Sequence, residues 1–212
     1  NTSITRNHRI LVTGATGYIG GRLVPMLEKM GYSVRCFARN SDSLASKVSQ
    51  NTEIISGDML SSQSIEHAMN GIDTAFYLVH SMGSAKSFMD LETECARNFA
   101  YAAKSAGIRR IIYLGGLGES TKKLSPHLLS RQEVGSILRE SEVPVIEFRA
   151  SVIVGSGSLS FELVRSLVER LPVMITPRWV STPSQPISID DVLKYLIESI
   201  ELPKYEDIIV EI

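Results

Sequence analysis

Cysteine and tryptophan are scarce: the 212-residue chain has two cysteines and a single tryptophan. Cys36 falls in a strand-like apolar run and Cys95 in a helical one. That placement suits two buried, reduced thiols better than a disulfide framework or a thiolate metal site. The four histidines, His8, His67, His80 and His127, show no metal-ligand spacing. An excess of charge of either sign is missing too. Lys and Arg number 22 against 23 Asp and Glu, for a net charge of −1, scattered along the chain. The balance excludes the electrostatic footprint of a nucleic-acid or anionic-membrane binder. No apolar run approaches the roughly 18 residues of a membrane span, and the polar start from Asn1 to Asn7 lacks the apolar centre of a secretion signal. A cytoplasmic globular protein is the expectation, its partner a small molecule rather than nucleic acid or membrane, with room for a homo-oligomer. At 43% hydrophobic residues the length suits one domain with a full core and at most a small appendage.

Glycine is plentiful where the first apolar run ends. Ile10 to Thr13 reads as a strand, Gly14, Gly17 and Gly20 follow at a spacing of three, and a helical pattern runs on through Leu23 and Val24. In such a strand, turn and helix the first glycine makes the tight turn, the second lets backbone approach a pyrophosphate, and the third lets helix pack on strand. Thr16, Tyr18 and Ile19 belong to the same phosphate-binding turn. The helix N-terminus faces the anion with unpaired N–H groups and the positive end of its dipole, so a dinucleotide is the expected cofactor.

The pattern then repeats. The first helix ends near Gly31, with Pro25 inside it predicting a kink near Gly21. Ser33 to Ala38 is a second strand, and Arg39 stands at its end where an NAD-specific domain would carry an acidic residue. A guanidinium suits a ribose 2′-phosphate, so NADP is preferred and NAD is the alternative; a solvated loop arginine is the plainer reading. Glu53 to Gly57 is the third strand. Asp58 and Met59 follow where an adenine ring would lie, Asp58 either accepting a bond from it or capping the next helix in competition with Ser61 or Ser62. A helix from Ser64 to Met69 and a buried strand from Thr74 to Val79 come next. Topology places Val79, His80 and Ser81 beside the cofactor, because ligands of parallel sheets bind outside the carboxyl ends of strands. Ser87 to Ala106 is a long helix, Arg110 to Leu114 the fifth strand, and Gly115 to Gly118 a glycine cluster that is either a plain turn or backbone close to a ligand. A helix opens at Ser125 and Pro126, and Val143 to Phe148 is strand six. Alternating strands and helices imply a doubly wound parallel sheet in the order 3-2-1-4-5-6.

Residues 1–157 form the expected dinucleotide-binding core and 158–212 a small substrate-side segment continuous with it. Leu159 to Leu171 reads as an amphipathic helix, and the proline-rich stretch from Pro172 to Pro186 as irregular chain covering the substrate side. Trp179 either lines that side or closes the core, packing being slightly favoured. Ser188 to Asp191 has capping-box spacing, so Asp190 and Asp191 start a helix rather than form an acid/base pair. Asp207 to Ile212 reads as a strand; ending within it, and lacking an initiating Met, the chain is expected to be part of a longer one.

On these residues the chain resembles the atypical and extended short-chain dehydrogenase/reductases, most closely their NmrA-like and isoflavone-reductase-like members. The likeness lies in Thr13 to Gly20 as nucleotide motif, Ala106 to Gly115 as fifth-strand region, and Gln185 to Val192 as the segment closing the substrate side. Tyr77 to Met82 and Ser125 to Val134 are similar to bacterial NAD(P)-binding proteins that carry a further domain after this one. The resemblance implies a Tyr and, four residues later, a Lys as the proton-transferring pair. Here His127 and Arg131 stand at that place, and each of the seven tyrosines lacks Lys at the fourth following position. Histidine is a competent acid/base near its ordinary pKa of ~6.5, and arginine can hold the nicotinamide ribose. The alternative, that the two residues merely begin a helix, stays open. Two functions follow: an NADP(H)-dependent oxidoreductase or isomerase of a small molecule with a remodelled pair, or a non-catalytic sensor of cofactor redox state. A scaffold role would need an apolar patch that sequence does not display.

Overall fold

Ile10, Leu11 and Val12 are all fully buried, Ile10 and Val12 in one apolar cluster and Leu11 in the other, which is how a strand covered by helices on both faces must read. In the computed structural model, which describes residues 7–79, 86–118, 125–158, 161–162, 165–166, 169, 185–203 and 206–212, this run is β1 (Arg9–Thr13). The chain continues with α1 (Gly20–Lys29), β2 (Ser33–Ala38), a short α2 (Asp42–Ala45), β3 (Glu53–Ser56), α3 (Ser62–Met69), β4 (Thr74–Tyr77) and α4 (Lys86–Ser105). Then come β5 (Arg110–Gly116), α5 (Pro126–Arg139), β6 (Val145–Ala150), β7 (Val152–Val154), β8 (Pro186–Ser188), α6 (Ile189–Glu198) and β9 (Ile208–Glu211).

Seven parallel strands form one sheet in the order β3-β2-β1-β4-β5-β6-β9. The expected order is thus found, with β9 added beyond β6. Helices α1 and α6 bury Leu23, Leu27, Val192 and Leu196 on one face. Helices α3, α4 and α5 bury Ile65, Phe99, Val134 and Leu138 on the other.

Local chemistry sets the boundaries. α1 is continuous through Pro25, which lies on its exposed side, where a missing amide bond is left to water. Ser61, not Ser62, caps α3 by accepting from the Ser64 amide. Ser188 accepts from the Asp191 amide at 3.1 Å while its hydroxyl donates to the Asp191 carboxylate at 2.7 Å, so Asp191 does serve a helix start. Gly115 and Gly116 correct the glycine-cluster expectation: both lie in β5, paired with Arg149 and Ala150. A Cβ on Gly116 would come 2.7 Å from Leu128 Cδ2, so this glycine serves the packing of α5. The small parallel sheet of β7 and β8 was not expected. It closes a long excursion from Gly155 to Gln185, in which the described Phe161, Glu162, Arg165, Ser166 and Glu169 are helical, as expected. Trp179, Ser81 and most of the proline-rich stretch lie outside the described residues.

A fully buried arginine ties the middle of the chain to its C-terminal part. At the start of β5, Arg110 Nη1 donates to the carbonyls of Ser199 and Ile200, and Nη2 to that of Leu202, at 2.7–2.9 Å. These carbonyls end the turn that follows α6, where a cation opposes the negative end of the helix dipole.

Candidate functional site

The carboxyl ends of β1 and β4 meet at the glycine turn. Thr13 Oγ1 donates to the Phe76 carbonyl at 2.8 Å and accepts from the Leu78 amide at 3.3 Å, locking the two strand ends together. Gly14 has φ +70°, and a Cβ there would lie 2.5 Å from the Leu78 carbonyl oxygen. A Cβ on Gly20 would collide with the Gly14 carbonyl. Gly17 differs: its nearest obstacle, the same carbonyl, is 3.2 Å away, and the residue is exposed together with Thr16. Two glycines are therefore demanded by the fold, while Gly17 keeps the outer side of the turn bare. Tyr18 and Ile19 are half-buried behind it, α1 has no acidic residue in its first turn, and no side chain caps its start. The positive end of the helix thus faces outward unopposed, a cradle that fits a pyrophosphate.

Farther along the same edge, Arg39 is exposed just past β2, its carbonyl held by the Ser56 hydroxyl at 3.3 Å. Asp58 is exposed past β3 and accepts from the Leu60 amide at 2.9 Å, a local turn bond, whereas Met59 is buried. Asn98 of α4 donates to the carbonyls of Met59 and Leu60, pinning this loop. Half-buried Val79 and Cys95 pack on the same apolar cluster as Met59. The Cys95 thiol is pushed up to about 11, chiefly by burial, with Asp58 adding to the shift and Arg39 opposing it. Asp58 and Arg39 thus both act electrostatically on Cys95 of α4, and the Met59–Leu60 loop is tied to the same helix, while His80 lies outside the described residues.

Helix α5 supplies the other pair. Ser125 caps it by accepting from the Leu128 amide, and Pro126 occupies its first turn. His127 is exposed in that turn. Arg131, one turn on, is half-buried, and a Cβ on Gly116 would lie 3.1 Å from its Cδ. Its stem therefore crosses the carboxyl end of β5, and it has no ion-pair partner among the described residues. Tyr113 Oη donates to the Arg131 carbonyl at 2.9 Å. Below, Ser130 donates to buried Glu92 of α4, and buried Glu147 of β6 pairs with Arg139 and Arg149. Gly135 is required there, since a Cβ would come 2.5 Å from Glu147 Oε2.

Sequence reasoning passed over Arg22 and Asn98. Arg22, in the first turn of α1, reaches back to Tyr18 in the turn before the helix, its guanidinium 4.0 Å from the Tyr18 ring centroid. No helix among the described residues is long and apolar enough to cross a membrane, and no metal-ligating cluster is found among them.

The model of the NmrA-like family matches residues 6–195. The chain is 32% identical over 116 residues to a 3-beta-hydroxysteroid dehydrogenase of Mycolicibacterium neoaurum, covering 50% of this chain and 31% of that one. It is 23% identical over 199 residues to the photosystem II assembly factor Ycf39 of Trieres chinensis, covering 92% and 60% respectively. It thus spans less than two thirds of the length of these curated relatives. The UDP-glucuronic acid 4-epimerase from Bacillus cereus in complex with NAD superposes with a TM-score of 0.77 at 18% identity, over 96% of this chain and 78% of that one, and shares the fold.

Proposed function

The chain belongs to the NmrA-like family, and from that premise we propose that it is an NADP(H)-dependent oxidoreductase or isomerase acting on a small molecule. The observation that carries the reading is the turn from Gly14 to Gly20: bare on its outer side at Gly17 and backed by an uncapped, acid-free helix start. Gly14 to Gly20 would hold the pyrophosphate, Asp58 and Met59 the adenine, Arg39 the 2′-phosphate, and Val79 and His80 the inner edge of the dinucleotide. When bound, the dinucleotide would supply the hydride donor or acceptor. His127 holds or takes the proton of a substrate oxygen, and Arg131 holds the nicotinamide ribose and adds positive charge beside the reacting group. The protein acts in the cytoplasm, with a small molecule as its partner and no nucleic acid or membrane; self-association is compatible with this role.

Calorimetric titration with all four nicotinamide dinucleotides tests the reading, followed by turnover assays on hydroxysteroids and nucleotide sugars, the substrate classes named for the two dehydrogenase- and epimerase-type relatives. Tightest binding of NADPH or NADP is expected. Binding of none of the four would overturn it. His127 and Arg131 in place of Tyr and Lys favour a second reading, a sensor of cofactor redox state. Its signature is unequal affinity for oxidised and reduced forms without turnover, since only differential binding shifts a conformational equilibrium.

A further inference from the structure

Arg22 occupies an electrostatically uphill position. It lies in the first turn of α1, where the helix dipole is already positive and a cation is disfavoured. Among the described residues it has no carboxylate partner: Nη1 donates to the Tyr18 carbonyl at 3.2 Å and Nη2 to the Ser156 carbonyl at 2.8 Å. The Tyr18 phenol donates to the same Ser156 carbonyl at 3.2 Å, and the guanidinium stacks on its ring. A cation fastened by neutral acceptors at the positive end of a helix is favourable once an anion arrives.

The other end of this clasp is built for it. A Cβ on Gly155 would come 2.7 Å from Tyr18 Oη, and Gly157 turns with φ +75°. Ser158, buried, donates its amide to the Gly155 carbonyl and its hydroxyl to that of Ile153. Its own carbonyl accepts from the Glu162 amide, and Glu162 Oε1 accepts from the Gly157 amide. Gly155 to Ser158 is thus the root of the excursion that separates β7 from β8.

We propose that Arg22 is a positioning residue that couples occupation of the dinucleotide turn to the substrate-side excursion, its charge drawn by the diphosphate while its fork holds Ser156. The inference rests on the cofactor reading above. A diphosphate at the turn restrains the guanidinium by charge, and the guanidinium restrains the loop through Ser156. Binding is thereby transmitted to the start of the excursion without any contact between cofactor and loop.

The test is NADPH titration at low and high salt, with hydrogen exchange of the Gly157 and Ser158 amides, on wild type, Arg22→Met, Arg22→Lys and Tyr18→Phe. Arg22→Met keeps the stem over the Tyr18 ring; thermal melts identify folded variants, and Tyr18→Phe serves where Arg22→Met does not fold. Expected are added protection of both amides on NADPH binding to wild type, and its loss in Arg22→Met with affinity weakened about tenfold and less sensitive to salt. Arg22→Lys recovers affinity without protection, because an ammonium lacks the planar fork. Tyr18→Phe weakens protection more than affinity. Wild-type affinity and protection in folded Arg22→Met overturn the coupling alone, as does full protection in Tyr18→Phe if that is the variant that folds. A wild type that binds no dinucleotide overturns the cofactor reading as well.

Discussion

The Tyr113 phenol donates a 2.9 Å hydrogen bond to the main-chain carbonyl of Arg131, so β5 holds α5 at the turn that carries the cation. Burial pushes the Tyr113 hydroxyl up, with Arg131 pulling the other way and Glu147 and Glu92 reinforcing the rise. A phenol with its proton bound to a carbonyl and its anion disfavoured is a strut, not a proton carrier. Tyr113 thus fixes the backbone of the α5 turn from which Arg131 extends over the carboxyl end of β5.

Gly17 is the position at which a side chain probes the cofactor rather than the fold. At Gly14 and Gly20 a Cβ meets backbone that cannot move, whereas at Gly17 it meets the Gly14 carbonyl at 3.2 Å, a contact relieved by a few tenths of an ångström. Gly17→Val is expected to stay folded and to lose dinucleotide binding, because the isopropyl group stands where phosphates approach. Undiminished affinity in a folded variant, read by calorimetry, removes the turn from the site.

If Arg39 takes the 2′-phosphate, as proposed, it sets the choice of nucleotide. It is exposed past β2, and the described residues give it no ion-pair partner. A charge-assisted bond to a phosphate contributes about 1.5–3 kcal/mol, roughly a ten- to hundredfold preference for NADP over NAD. Arg39→Ala should erase that ratio while leaving NAD affinity unchanged; a ratio that persists assigns the phosphate to another group.

The sheet order and the glycine turn were legible because both are written locally, in apolar runs and in glycines whose spacing matches one turn of chain. That Arg39, Asp58 and Val79 follow the carboxyl ends of β2, β3 and β4 was legible from the alternation of strands and helices. The pairing of β7 with β8 was not, since Val152 and Pro186 meet only after the intervening chain has folded back. Gly116 read as a loop residue because sequence shows the missing side chain and not the Leu128 methyl that requires it. Arg110 read only as the first residue of the fifth strand. Its burial depends on carbonyls of residues 199, 200 and 202, far away in sequence.

Those carbonyls make Arg110 the largest single-residue stability prediction. Arg110→Met keeps much of the volume but leaves buried carbonyls at the end of the α6 segment without their donor. A loss of about 3 kcal/mol is expected, a fall of roughly 6–12 °C in Tm for a chain of this size. Thermal melts check it, and a shift under about 2 °C would show that water replaces the guanidinium.

His8 predicts a pH dependence. Its ring hydrogen-bonds Thr74 Oγ1 at 2.9 Å and packs edge-on to Tyr32. Burial lowers its pKa; Asp73 and Glu201 oppose the shift, Arg109 and Arg110 reinforce it. Because the unfolded chain takes up the proton first, the stability His8 contributes is present above its unfolded value of about 6.5. It is lost as pH falls from there through the lowered folded value. Melts between pH 8 and pH 5 should show wild type losing ground to His8→Gln on acidification. Parallel curves would assign the dependence to other groups.

His127 carries the chemistry if the enzyme reading holds. It sits one helical turn before Arg131, and Arg131 crosses the carboxyl end of β5 at Gly116, on the same edge as the Gly14 turn. A general acid/base contributes about 10²–10⁴-fold to turnover. His127→Ala should reduce kcat by that order on any substrate found while leaving dinucleotide affinity nearly intact, because a proton transferred to substrate oxygen is not a cofactor contact. Arg131→Met should instead weaken both, since a guanidinium on the nicotinamide ribose acts in the ground state and in the transition state alike. His127→Gln separates chemistry from shape: it retains hydrogen bonding but transfers no proton, so activity should stay as low as in His127→Ala. Cofactor binding lost in His127→Ala, with turnover detected in no variant and affinity differing between NADP and NADPH, would put the redox-sensor reading in its place.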